Sequence, residues 1–502
     1  MATRRDELNA YTFSRRRTVA AFLRPAGGGA DNEVPRPMRA VVPGLVLGAV
    51  ALAAFGAWGL ISPSAPSGWK TANAIIVGKS STTRYVMEDK TLYPVLNVAS
   101  ARLVLGNNPT VEEVPDSALD KVPHGPTIGI PYAPDWLPTD KDAASAKTWV
   151  VCDQPGSGGG STEQHVYILG GAQQTSWTQK HTLPAGQGLF VSSGGKDYVV
   201  IGGTAYPFPD GGLAPGVFGA TASPAQPVTA AWLATLNQGP EISKAAAEKK
   251  FPGLGSAQAK VGGTSMTVGT VLEQDYAGKK YYFVAGPNGP IGVDPFAEQF
   301  MLQVMGQTAP RQMAGTLSVA EQWHPGWPSQ GNTQQADSAR TGKNVVCGSY
   351  TTQATNGQGP KQPASQAWAG TALPPYAAPA GTDTGAAGGE SSQPYVTPGT
   401  GMLLREGTGE SGKHYLLTDS GLRYPVQVNG DAGTSAASSG GGAAGGAAAS
   451  PSPTAGSTAS ASSEQRLGYG RYAPVPVPEA LVGLVPSGPL LDFQDARLAH
   501  SG

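Results

Sequence analysis

Val41 to Ile61 reads VVPGLVLGAVALAAFGAWGLI, inside a stretch without charge from Ala40 to Trp69. A helix rises about 1.5 Å per residue, so about twenty residues cross the ~30 Å hydrocarbon core of a bilayer. The run fits one transmembrane helix. Before it stand Arg4, Arg5, Arg15, Arg16, Arg17, Arg24, Arg36 and Arg39, against Asp6, Glu7, Asp31 and Glu33. After it the first cations are Lys70 and Lys79. The cationic flank belongs in the cytoplasm. The chain is therefore expected in the cell membrane, single-pass, with its N-terminus inside and its C-terminal portion outside. A secretory signal fits less well: the arginine-rich lead and the apolar run are both too long. A buried core helix fits less well too, because Phe55, Trp58 and the leucines surround the helix instead of forming a stripe.

The outer portion exceeds 400 residues, enough for several packed units. Net charge is −1, which gives nucleic acid no electrostatic footing. Glycine (70) and proline (44) are abundant among 502 residues and point to turns and short strands. Cys152 and Cys347 both fall outside on this topology, where an even pair reads as one disulfide. Such a ring is worth up to about 5 kcal/mol in the loop-entropy model. The flanks, Trp149-Val150-Val151 and Asn344-Val345-Val346, read as two strands lying side by side; two unpaired buried thiols are the alternative.

Residues 3–24 read as an amphipathic helix. Thr3 can cap it, and Leu8, Tyr11, Val19, Phe22 and Leu23 recur near helical spacing among arginines. It suits docking on a cytoplasmic partner through Arg4, Arg5, Leu8, Tyr11, Arg15, Arg16 and Arg17, or lying on anionic lipid.

Outside, a pattern recurs: an apolar strand, a strand with a leading tyrosine, then a strand with Tyr-Pro. Repeat one holds Tyr85 and Tyr93-Pro94, repeat two Tyr198 and Tyr206-Pro207, and repeat four Tyr415 and Tyr424-Pro425. Repeat three has Tyr281 but reads Pro290-Ile291-Gly292-Val293 where Tyr-Pro is expected. Each unit reads as a three-stranded meander with its tyrosines packed inside and its proline on an edge strand. Units this small must pack on something shared. Helices at 100–105, 229–236 (with Trp232) and 295–305 are candidates. Residues 430–463 are nearly all Gly, Ala, Ser, Thr and Pro and cannot build a core. Residues 351–393 are similar but carry Trp368 and Tyr376.

Gly407 to Lys413 nearly matches the phosphate loop G-x-x-x-x-G-K-S/T, but His414 replaces the hydroxyl residue and a strand, not a helix, is expected next. A hairpin turn is the better reading. Other nucleophile and metal motifs are absent, the histidines are scattered, and Trp323-His324-Pro325-Gly326-Trp327 reads as a packed surface loop. No catalytic residue, metal site or cofactor is expected.

Five segments resemble the EccB family of actinobacterial type VII secretion: Arg4-Arg5-Asp6-Glu7-Leu8 with Arg15-Arg16-Arg17; Tyr93-Pro94-Val95-Leu96-Asn97 running to Ser100-Ala101-Arg102-Leu103; Gly129-Ile130-Pro131-Tyr132-Ala133-Pro134-Asp135; Trp149 to Asp153; and Val475 to Pro478. The resemblance implies an α+β, β-rich chain with a short cytoplasmic helix, one transmembrane helix and a propeller-like outer body of four small β repeats around a central domain. The cysteines resemble that domain's bridge. The expected divisions are 1–39 cytoplasmic, 40–62 membrane, 63–110 first repeat, 111–185 central, 186–225 second repeat and 226–265 connecting. They continue as 266–306 third repeat, 307–350 central, 351–393 flexible, 394–429 fourth repeat, 430–463 disordered loop and 464–502 a tail packed on the body. The family's function implies a structural component of the secretion complex. Its implied partners are an EccC-type FtsK/SpoIIIE ATPase, EccD, EccE where present, the mycosin protease, membrane lipid and further copies of the chain. The family is often described as ATPase, so ATP with Mg is the alternative cofactor and hydrolysis the alternative function. A cell-wall-binding module is a third reading.

Overall fold

The computed structural model describes residues 4–23, 38–61, 65–106, 109–156, 162–219, 222–314, 317, 321–331, 333–337, 342–358, 361–376, 393–428 and 461–500. Contacts divide the chain into two units, Met1–Ser64 and Ala65–Gly502. The expected loop at 430–463 lies almost wholly outside the described residues.

The first unit holds helices Arg4–Leu23 and Met38–Ile61. The first is less amphipathic than the sequence spacing implied. At 100° per residue, Leu8, Tyr11, Val19 and Phe22 do share one side, but Arg4 and Arg15 project from that side too. The face is mixed. The second helix has 24 residues, and its valines, leucines and Phe55 from 41 to 55 are exposed all round. Among the described residues no helix is long and apolar enough to cross a membrane; the side chains described in this helix run only from 41 to 57.

The second unit is strand-rich. Repeat one begins with antiparallel strands Ala74–Gly78, Arg84–Glu88 and Thr91–Pro94. Thr110–Val114 then runs parallel beside the first strand, and His124 and Ile128 pair in parallel with Leu92 and Val95 beside the third. Repeat two, Gln187–Ser193, Lys196–Ile201 and Thr204–Pro207, is flanked in the same way by Gln226–Pro227 and Asn237–Gln238. Repeat three, Val271–Tyr276, Lys279–Gly286 and Gly289–Val293, is flanked by Arg311–Gln312 and Glu321–Trp323. Repeat four, Met402–Glu406, His414–Leu417 and Arg423–Val426, is flanked by Val475–Val477 and by bridges from Ser487 and Leu491. Both outer strands of every meander are thus covered, and short flanking segments take the place of the meander strands at the edges. The covering strands fall in 111–185, 226–265, 307–350 and 464–502, so each repeat extends beyond its expected boundary.

The Tyr-Pro prolines are accordingly not on a free edge. Leu92 N donates to Pro123 O (2.8 Å) on the flanking side. Pro94, two residues on, turns its missing N–H the same way. The flank opens there and resumes at Leu96 N to Ile128 O (3.1 Å).

The central sheet runs in the order Ala364–Gly370, Val345–Thr351, Thr148–Gln154, Glu163–Leu169, Tyr395–Val396. Its edge strand Ala364–Gly370 lies in the segment read as flexible. Trp368 there packs edge-on against Trp177, and Tyr376 stacks on Tyr395.

Strand alternation explains how the repeats join. Leu189, Val191 and Val200 share a core with Trp149, Val151 and Val346 of the central sheet, while Phe190 and Val199, facing the other way, pack with Val271, Val284 and Phe300 of repeat three. Met402, Leu404 and Leu417 join the same central core, while Leu403 and Leu416 pack with Ile75 and Val86 of repeat one. Among the described residues only repeats two and four share an apolar cluster with the central sheet. Repeat one is buried on repeat four and on Ile128, Ile130 and Ala133, and repeat three on repeat two and on Trp323 and Trp327.

Candidate functional site

The segments behind the family resemblance that fall in the strand-rich unit are structural joints. Asn97 caps helix Val98–Leu105: its Oδ1 accepts from Ser100 N (2.9 Å) and Ser100 Oγ (2.7 Å). Its Nδ2 donates to Ile130 O (2.7 Å), and Ile130 N donates to Ser100 Oγ (2.8 Å). The 93–103 and 129–135 segments therefore satisfy each other's buried polar groups. Asp153 Oδ2 accepts from Thr229 N (2.6 Å), which fastens the central sheet to helix Ala230–Leu233. Trp232 Nε1 in that helix donates to Val346 O (3.0 Å).

Cys152 and Cys347 are directly opposed on neighbouring antiparallel strands and form a buried disulfide. The tyrosines expected in repeat cores separate into classes. Tyr415 and Tyr424 are buried; Tyr85, Tyr93, Tyr198 and Tyr206 are half-buried. Tyr281 is 40% exposed with Lys279 Nζ over its ring, and the adjacent Tyr282 packs inward instead.

Each Tyr-Pro tyrosine lies on a glycine of the flanking strand: Tyr93 on Gly125, Tyr206 on Gly239, Tyr424 on Gly488. A Cβ at any of these glycines would collide with the ring. All three glycines precede a proline. Repeat three exchanges the roles: Gly292 stands on the meander and Gln322 of the flanking strand covers it, at the same register. The missing Tyr-Pro is thus a swap, not a lost repeat. Sequence reading missed the Gly-Pro partner, although Tyr-Pro followed by Gly-Pro at similar distance was available in repeats one and two.

The loop from Gly407 to Lys413 closes a hairpin between Met402–Glu406 and His414–Leu417, with Glu406 N donating to Lys413 O (2.9 Å). No helix N-terminus follows to face a phosphate. The WHPGW loop is packed: Trp323 and Trp327 lie edge-on against Phe251 and Phe300, and Trp327 Nε1 donates to Glu241 O (2.9 Å).

A hollow of about 810 Å³ lies over the central sheet, lined by Thr139, Ser145, Gln174, Thr175, Thr178 and Gln366 among others. Beside it Lys147 Nζ bonds Asp142 Oδ1 (3.1 Å), Asp142 O (2.9 Å) and Ser145 Oγ. A serine beside a buried lysine is a possible nucleophile and base. Burial lowers the Lys147 pKa, and the Asp142 carboxylate partly offsets this. Asp142 Oδ2 also accepts from Gly401 N (2.8 Å). The trio is a strut to repeat four. Among the described residues no group of three His, Cys, Asp or Glu is placed to hold a metal.

The family model described as "Type VII secretion system ESX-1, transport TM domain B" matches residues 1–502. The chain belongs to this EccB family. The ESX-3 secretion system ATPase EccB3 of Mycobacterium tuberculosis is 28% identical over 205 residues, 40% of this chain and 37% of that protein. The ESX-5 secretion system ATPase EccB5 of Mycobacterium marinum is 36% identical over 150 residues, 30% of this chain and 28% of that protein. The alignments with these EccB relatives thus span under two fifths of their length. A chain in the structure of an intact ESX-5 inner membrane complex superposes with TM-score 0.58 at 22% identity, covering 100% of this chain and 96% of that one. The EccB3 dimer from the ESX-3 core complex gives TM-score 0.57 at 21% identity, covering 85% and 100%. These two likenesses carry the mixed, strand-rich fold.

Proposed function

We propose that the chain is a structural component of a type VII secretion membrane complex, its strand-rich unit building part of the assembly on the outer face. The observation that supports this above all is one family match from the first residue to the last. The geometry agrees: the segments 93–103, 129–135, 149–153 and 475–478 are spent on joining parts of the strand-rich unit. The helix Met38–Ile61 is about 36 Å long at ~1.5 Å per residue, enough to span the ~30 Å bilayer core. Its bare valines and leucines suit lipid. Arg4, Arg5, Leu8, Tyr11, Arg15, Arg16 and Arg17 are then the cytoplasmic contact, to lipid or to an EccC-type ATPase or EccD. EccE and a mycosin-type protease are further partners, and copies of the chain meet through the outer unit. Purification in mild detergent from native membranes tests this. The chain is expected in a large assembly with a motor ATPase; recovery as a lone protomer speaks against it.

A second reading, ATP hydrolysis, rests on the word ATPase in the relatives' names. Lys413→Ala tests its one near-motif. The hairpin geometry predicts unchanged nucleotide turnover in purified protein; a loss of turnover would restore the phosphate-loop reading.

A further inference from the structure

Asp337 follows the short strand Gln334–Gln335, which runs beside Gln187–Ser193 of repeat two. The residue is buried, 1% exposed. Only half of its carboxyl group is used. Oδ1 accepts from Phe190 N (2.9 Å), whereas Oδ2 is shut off from solvent and accepts no hydrogen bond. The Gln335 side chain favours ionisation from nearby, but its Nε2 makes no hydrogen bond. A buried acceptor without a donor is costly and asks for a partner. Space for one adjoins it. Asp337 lines a hollow of about 400 Å³ between repeat two and the ends of two central strands. Its walls include Pro155, next to strand Thr148–Gln154, and Asn344, next to strand Val345–Thr351. Ser223, Pro224 and Gln226 supply the repeat-two side, and Gln226 Nε2 donates to Asn344 O (2.7 Å) across the wall.

Charge, geometry and wall chemistry narrow the ligand. Among the described lining residues Asp337 alone carries a charge, so a single positive charge answers it. One carboxylate is a poor seat for a divalent metal, which wants several charged oxygens. With Oδ1 already engaged, a guanidinium cannot close its two-pronged pair on the carboxylate, whereas an ammonium needs only one oxygen. The rings of Pro155 and Pro224 suit a chain of methylenes behind that ammonium. Ser223, Gln226 and Asn344 carry oxygens for its other N–H donors. We propose that this hollow binds a primary alkylammonium, its nitrogen on Asp337 Oδ2 and its stem against the two prolines. A lysine side chain and a free alkylamine carry that group alike. Burial holds Asp337 protonated up to about 8, so at lower pH the incoming cation displaces a proton.

The test is a calorimetric titration of the full chain, in mild detergent, with n-pentylammonium at pH 7 and pH 9. Saturable binding is expected, about tenfold weaker at pH 7, with about one proton released per amine there and little at pH 9. Two buffers of different ionisation enthalpy count the proton. Uncharged n-pentanol is expected not to bind. Asp337→Asn keeps an acceptor for Phe190 and removes the charge; it is expected to weaken binding at pH 9 at least tenfold, the scale of one charge-assisted hydrogen bond. Nα-acetyl-lysine amide separates the two sources. Binding as tight as that of the free amine assigns a lysine side chain, and binding of n-pentylammonium alone assigns a free amine. Binding of neither amine, or wild-type affinity in Asp337→Asn, overturns the proposal. So does binding at pH 7 without proton release, a measurement on the wild type that decides even where Asp337→Asn fails to fold.

Discussion

Asp153 and Asp337 show how a buried carboxyl couples this fold to pH. Burial pushes Asp153 up to about 6, against the Thr229 N–H that favours its ionised form. Burial likewise pushes Asp337 up to about 8, against Phe190 N–H (2.9 Å), its own N–H and the Gln335 side chain. Both values lie above 3.8, so the folded state holds protons that the unfolded chain has released. Stability therefore declines as pH rises, from about 4 to 6 through Asp153 and on to about 8 through Asp337, and then levels off. Asp153→Asn keeps an acceptor for Thr229 and removes the titration. Relative to wild type it is expected to gain about 3 kcal/mol between pH 4 and pH 7, by the linkage of one pKa unit to about 1.4 kcal/mol. Denaturant midpoints at several pH values check this, and parallel pH profiles of variant and wild type would refute it. The sequence could not reveal these groups: Asp153 looks like any strand-end aspartate until the strand is placed in the centre of a sheet.

The three-stranded meanders were legible because their strands alternate and their turns carry glycine or aspartate. The flanking strands were not. Gln226–Pro227, Asn237–Gln238 and Arg311–Gln312 are two residues each, too short to show a period. What fixes Asn237–Gln238 is the approach of the Tyr206 ring to Gly239. Gly239→Ala puts a methyl into the Tyr206 ring, an overpacking that costs about 1–3 kcal/mol. Tyr206→Ala removes the obstacle, so the double variant is expected to be more stable than the sum of the single effects by about 1 kcal/mol. Additive losses would mean that Gly239 is needed for its backbone and not for the ring. Repeat three allows the same test with Gly292 and Gln322. Its departure from Tyr-Pro read as degeneracy because one-sequence reasoning follows residue types, whereas packing conserves the contact and permits the two sides to trade.

At the scale of the whole molecule the deciding quantity is polarity across the bilayer. The helix Met38–Ile61 exposes Leu45, Leu47, Leu52 and Phe55. Leaving a side chain of that size in water costs about 1.5–3 kcal/mol each relative to an apolar surrounding. On the single-pass reading proposed above, lipid would remove that cost and the arginines before residue 40 would set the direction. The disulfide argues for the same side independently: residues 195 apart in sequence are cross-linked, and such bonds persist in oxidising compartments. Trypsin added to intact spheroplasts is therefore expected to reach exposed Lys79 and Lys121 and to release fragments of the strand-rich unit, while an antibody epitope fused at the N-terminus stays protected. Alkylation before reduction is expected to leave Cys152 and Cys347 unlabelled, and alkylation after reduction and denaturation to label both. Protection of the strand-rich unit together with free thiols would place it in the cytoplasm. The arginine flank would then be on the wrong side, and the outer-face role would fall with it.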